Sequence, residues 1–328
     1  MSSIREGMMR AARFHSGGEI RIDEVPIPQC PDGGILVQSL ASGLCSGELM
    51  GWYMERKAAS GPHVLGHEVC GVVVESQDDR FPVGIQVSPH HHAPCFECEV
   101  CRKGQFVHCE TWRTTKLDPG GMSEYFGVSR ELLGDCRVTD GLDHVTATLV
   151  EPLACVAKQL RRLGYQEGEK SAVIGLGVMG LLHTLMMPGS VAFERNQGRI
   201  DWSVNSGVNA RLPDQSEKFD VIVVCPGSEE AFEFALAIAN PGARIGLFAP
   251  LPPGELGFYF ERAYMQDLIL VNSYSCGPND TEVALNWLKS GRIRGEQVVS
   301  DRISLSDLPE AYEQMKQGEI LKPVVMFG

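Results

Sequence analysis

The chain has 328 residues, and 29 Lys and Arg against 42 Asp and Glu leave a formal net charge of −13. At 43% hydrophobic and 22% charged residues its composition is ordinary for a globular protein, and the length suits two domains of about 150 residues. The acidity argues against nucleic acid, whose binding rests on clustered cations, and apolar runs of strand length argue against a membrane span.

The first 13 residues mix Arg5, Glu6 and Arg10 without an apolar core, so no secretion signal is expected. The 11 cysteines are odd in number, which fits metal-binding or catalytic thiols in a reducing cytoplasm better than a disulfide scaffold. Over 1–149, short β-rich runs at 20–25, 34–39, 69–75, 85–88 and 122–128 are broken by Gly, Pro and Asp, the pattern of a β-barrel-like domain. Within it stand Cys45, in Gly43-Leu-Cys-Ser-Gly-Glu, and His67, in Gly66-His-Glu. A lobe at about 90–112 carries Cys95, Cys98, Cys101 and Cys109 in C-x2-C-x2-C-x7-C spacing. Two-residue spacers let a short loop wrap thiolates around one ion, and four sulfurs suit a closed tetrahedral zinc site. Spacing alone does not separate zinc from an iron–sulfur cluster.

From 150 to 289 the pattern alternates: helix 151–163, strand 171–175, helix 179–187, strand 190–194, helix 196–206, strand 219–225, helix 228–239 and strand 243–248. Such alternation predicts βαβ units on a parallel sheet. The first βα turn reads Gly175-Leu-Gly177-Val178-Met179-Gly180. In this setting Gly175 permits the tight turn, Gly177 the approach of a pyrophosphate, and Gly180 close packing of helix on strand. Glu194 ends the next strand and is placed to hold a ribose hydroxyl, which favours NAD over NADP although Arg195 lies beside it. The intervening helix is short, stopped by Pro188-Gly189. The tail, 290–328, returns to the first domain. Taken singly, Cys45 also reads as a small core residue, His67 as a turn residue, and Glu151-Pro152 as a helix start.

The order and spacing of these elements resemble the medium-chain dehydrogenase/reductase superfamily, in particular its zinc-dependent threonine and sorbitol (polyol) branch. The resemblance runs nearly end to end, through Gly66-His-Glu, the four-cysteine lobe, Leu149-Val-Glu-Pro-Leu, the Gly175 turn and the closing Ile320-Leu-Lys-Pro-Val-Val-Met. It implies an α/β protein made of a GroES-like β-barrel catalytic domain, 1–149 with 290–328, and a Rossmann-fold dinucleotide-binding domain, 150–289. It also implies two zinc ions per chain, NAD, a small polar substrate, and a homodimer or homotetramer. Cys45, His67 and Glu151 fall where the branch ligates its catalytic zinc, with Glu68 as a carboxylate able to approach or leave the metal. Glu48 falls where a carboxylate orients the histidine, and His92 where a histidine lines the substrate pocket. Gly47 and Met50 depart from the usual proton-relay residues. The expected activity is hydride exchange between a secondary alcohol and a ketone. A binding or sensory protein that has lost that reaction, and a biosynthetic carbonyl reductase, are the other readings.

Overall fold

The computed structural model describes residues 7–250 and 260–328. They divide into two compact units, 1–154 with 276–328 and 155–275. The helix Pro278–Lys289, which alternation groups with the nucleotide-binding domain, belongs to the first unit. Its first turn is tied there by Arg137, which donates from Nε to Thr281 Oγ1 at 3.0 Å and from Nη2 to the Pro278 carbonyl at 2.5 Å.

The first unit is built around the strand Ile35–Gly43, whose long apolar run lets it lie buried between neighbours. It pairs antiparallel with Glu68–Ser76, Tyr125–Val128 and the C-terminal Pro323–Met326. Gln86–Pro89 and Cys136–Val138 extend the sheet on one side, and Asp301–Ile303 on the other. A second sheet joins Met8–His15 to Glu19–Pro26 and His63–Val64. Ile35, Val37, Val69, Val73, Phe126 and Val128 form the core of the larger sheet. Removal of these side chains from water is the main favourable contribution to the unit's stability.

The second unit is a parallel sheet of six strands. Their spatial order is Asn209–Arg211, Val191–Phe193, Ser171–Ile174, Phe219–Val224, Ala239–Leu247 and Ile269–Asn272. This is the doubly wound order, reversing beside Ser171–Ile174, where such sheets bind nucleotides. All four residues of that central strand are buried, as a strand covered on both faces requires. Asn209–Arg211 is too short and polar to show in the alternation. The helix Val178–Met186 has 9 residues and gives way to Pro188 and to Gly189, whose φ is +81°. Among the described residues no helix is long and apolar enough to cross a membrane.

Candidate active site and metal centres

The strand Glu68–Ser76 begins at one end of the larger sheet, so His67 and Glu68 stand at its lip. Cys45 follows the strand Ile35–Gly43, which pairs Gly43 with Glu68. Cys45 also caps the short helix Ser46–Leu49, its sulfur accepting from Gly47 N at 3.3 Å. This pairing brings the Cys45 thiol, the His67 imidazole and the Glu68 carboxylate within 4.8 Å of one another. Sulfur, nitrogen and oxygen donors in that arrangement fit a zinc ion with one position left open.

Glu48 sits behind this group, 3% exposed. Its Oε1 lies 3.5 Å from His67 Nδ1 and accepts from Gly66 N at 2.8 Å. Burial alone would raise its carboxyl; the neighbouring His67 and the N–H groups of Gly66 and Cys45 more than reverse it, so it stays ionised. A carboxylate on one imidazole nitrogen fixes the ring and leaves the other nitrogen for a metal. Glu68 is paired with Lys322, which also donates to the Leu44 carbonyl at 3.0 Å. Burial raises the Glu68 carboxyl, against Lys322 and His67 and with the charge of Glu151. Lys322 therefore holds the Glu68 carboxylate at the edge of the Cys45–His67 group.

Glu151, expected beside Cys45 and His67, has its carboxylate within 4.8 Å of donor atoms of His90 and Cys276, and its charge acts on Glu68 of the first group. It lies in the first turn of the helix Val150–Leu163, 9% exposed. The histidine run also divides differently from expectation. His92 packs its ring on Trp112 at 4.2 Å and places Nδ1 2.5 Å from the Thr115 carbonyl. Burial and the charge of His90 push its pKa down to about 3, so it is neutral and built into the cysteine lobe. His91 is the member that meets His67, at 4.8 Å between ring centroids, and its buried Nδ1 has no hydrogen-bond partner among the described residues. Sequence reading missed His91 because adjacent residues of a loop differ only in direction.

In the lobe, Cys95, Cys98, Cys101 and Cys109 converge within 4.8 Å. The sulfur separations of 3.9 Å for Cys95–Cys101 and 3.4 Å for Cys98–Cys101 bracket the roughly 3.8 Å that tetrahedral Zn–S bonds of about 2.3 Å impose. Backbone N–H groups of Glu97 and Cys98 hold the Cys95 thiol below its ordinary value, toward the thiolate a metal needs. Trp112, Val107 and the half-buried Phe106 are what hydrophobic packing the lobe has.

In the second unit Gly175 has φ +83°, and a Cβ there would meet Pro226 at 2.6 Å. A Cβ on Gly180 would lie 1.7 Å from the Gly175 carbonyl oxygen, while one on Gly177 would meet nothing within 4 Å. The loop is thus closed behind and open in front, with the first N–H groups of the helix Val178–Met186, Val178 and Met179 among them, available to an anion. Glu194 braces the same turn: Oε2 accepts from Leu176 N at 2.7 Å, and Oε1 from Arg195 N at 2.7 Å and Asn196 N at 2.9 Å. Gly180→Ala should displace this loop and weaken dinucleotide binding at least about tenfold in a calorimetric titration, leaving the metal content unchanged.

The Alcohol dehydrogenase GroES-like domain model matches residues 31–136. The L-galactonate-5-dehydrogenase of Escherichia coli is 25% identical over 93% of this chain and 94% of its own length. The sorbitol dehydrogenase of Bacillus subtilis is 25% identical over 97% of each chain. A crystal structure described as a zinc-binding dehydrogenase of Sinorhizobium meliloti bound to NADP superposes with a TM-score of 0.87, 24% identity, and 98% and 100% coverage. These likenesses support the resemblance to the medium-chain dehydrogenase/reductase superfamily. The chain is an alcohol dehydrogenase-like oxidoreductase, with a GroES-like domain and a Rossmann-type domain.

Proposed function

We propose that this dehydrogenase exchanges hydride between a nicotinamide dinucleotide and a secondary alcohol or ketone of the polyol or sugar-acid class. The observation that carries the reading is the convergence of Cys45, His67 and Glu68, oriented by Glu48, in a chain that also has the Gly175–Gly180 turn. Zinc at the first site would supply a Lewis acid for the substrate oxygen, and the dinucleotide a hydride acceptor or donor. The chain's own residues do the rest. Cys45 and His67 hold the metal position, Glu48 fixes the imidazole, and Glu68 moves between that position and Lys322. Gly175, Gly177 and Gly180 shape the pyrophosphate seat, and Glu194 favours NAD because its charge repels a 2′-phosphate. Relatives that act on L-galactonate and sorbitol support the substrate class.

Gly47 has no hydroxyl to begin a proton relay, and His91, with its orphaned Nδ1 beside His67, takes that part. His91→Gln should lower kcat for alcohol oxidation roughly 10²-fold and displace the pH profile, with little change in dinucleotide affinity. An unchanged profile removes His91 from the proton path. Two further assignments complete the reading: a cytoplasmic setting, favoured by cysteines that are all free thiols, and assembly as a homodimer or homotetramer. A panel of secondary polyols and sugar acids, assayed for reduction of NAD⁺ and of NADP⁺ with and without chelator, tests both substrate class and cofactor preference.

A further inference from the structure

Cys45 stands in a stretch of chain too short to fix its own shape. The turn it caps, Ser46–Leu49, has 4 residues, and so short a helix is marginal without support from outside. Within the stretch, Glu48 N donates to the Cys45 carbonyl at 3.0 Å and Cys45 N donates to Glu48 Oε2 at 3.4 Å. The carbonyls of Leu44 and Glu48, on either side of Cys45, are both taken by buried side chains of the C-terminal segment. Lys322 Nζ donates to the Leu44 carbonyl at 3.0 Å, and the Tyr312 hydroxyl donates to the Glu48 carbonyl at 3.0 Å. Lys322 is 0% and Tyr312 3% exposed, so both bonds are shielded from solvent. The main chain reinforces the Lys322 side: Leu44 N donates to the Pro323 carbonyl at 3.1 Å, and Gly43 pairs with Val324.

Tyr312 bears on more than the cysteine. Glu48 has its carbonyl on Tyr312, while its carboxylate accepts from Gly66 N at 2.8 Å and stands 3.5 Å from His67 Nδ1. A shift of the Glu48 main chain therefore moves Cys45, by way of the turn, and the His67 ring together. Burial and the charge of Glu48 push the Tyr312 phenol up to about 12, so its hydroxyl remains a donor. The helix that carries it, Leu308–Gln317, is itself anchored, with Leu308, Ala311 and Met315 buried on the same face.

We propose that Tyr312 is a positioning residue for the metal held by Cys45 and His67, acting through Glu48 and opposing Lys322 across the Cys45 stretch. The assignment rests on the reading of Cys45 as a metal ligand. Without the hydroxyl the Glu48 carbonyl loses its buried donor, and the turn is held from the Lys322 side alone. Groups that orient metal ligands in this way carry about ten- to a hundredfold in metal affinity or activity.

Zinc affinity tests it. The zinc equivalent that Cys45→Ala lacks is identified by difference, and its dissociation constant is measured by competition with a chromophoric chelator. In Tyr312→Phe, which keeps the ring and its packing, that constant should rise roughly tenfold, and kcat should fall by a similar factor with KM for the dinucleotide unchanged. Met315→Ala supplies the comparison for a merely structural role. It opens a cavity under the same helix and should lower the thermal midpoint while leaving the zinc constant at its wild-type value. Wild-type zinc affinity in Tyr312→Phe overturns the proposal. So does an equal loss of affinity in Met315→Ala, because loosening of the helix would then account for both. Failure of the underlying reading shows separately, as a folded Cys45→Ala chain with wild-type zinc content, and the proposal falls with it.

Discussion

Cys45→Ala should lower kcat/KM for polyol oxidation by roughly 10³-fold or more while leaving the circular dichroism spectrum and thermal midpoint close to those of the wild type. The Lewis acid at this site is asked to supply several kcal/mol of transition-state stabilisation, and each 1.4 kcal/mol or so is a factor of ten in rate. Cys45 can be lost without structural damage because its thiol serves no core. It caps a single turn, Ser46–Leu49, and the surrounding strands are held by their own ladder and by the buried pair of Lys322 with Glu68. A steady-state assay paired with zinc analysis checks the prediction. Lost activity with full zinc content would move the catalytic metal elsewhere.

The second large effect is the converse. Cys98→Ser should damage the fold of the lobe and lower the thermal midpoint by about 10 °C or more, with activity lost as a consequence. The lobe's apolar cluster is small, consisting of Val107, Trp112 and a half-buried Phe106 beside the cysteines themselves. So small a core does not offset the entropy of ordering the loop, and the free energy of metal binding, about 10 kcal/mol or more for closed zinc sites, takes its place. Damage should spread to the substrate side, because His92 of the same loop packs on Trp112 while its neighbour His91 faces His67. Differential scanning calorimetry of the variant, and of wild-type protein with chelator, should show the same low-temperature transition. A midpoint within a degree or two of wild type would show that the lobe stands without metal.

Much of this was legible in the sequence because the informative spacings are local. The four lobe cysteines lie within 15 residues and the nucleotide-binding glycines within six, so a turn or two of backbone determines what they can do. The parallel sheet was legible from alternation, down to the short helix before Pro188. What escaped the sequence depends on long-range pairing. Glu68 stands with Cys45 and His67 because the register of Gly43 with Glu68 places it there. Glu151 also comes near His90 and Cys276, the latter 125 positions further along, and Cys276 by itself reads as a small core residue. The run of three histidines shows the same limit at short range. His90, His91 and His92 point to Asp135, His67 and Trp112 in turn, and no spacing rule distinguishes them. The helix Pro278–Lys289 falls to the first unit through Arg137, a contact that periodicity does not reveal.

The central claim is hydride transfer that depends on the Cys45 site, and isotope transfer tests it most directly. Zinc-replete protein is incubated with NAD⁺ and a set of secondary polyols and sugar acids carrying deuterium at the carbinol carbon, and the nicotinamide is examined by mass spectrometry. Deuterated NADH from the wild type, and none from Cys45→Ala, is the expected result. Reduction that leaves the label behind, or zinc-replete protein that reduces neither NAD⁺ nor NADP⁺ with any of these substrates, contradicts it.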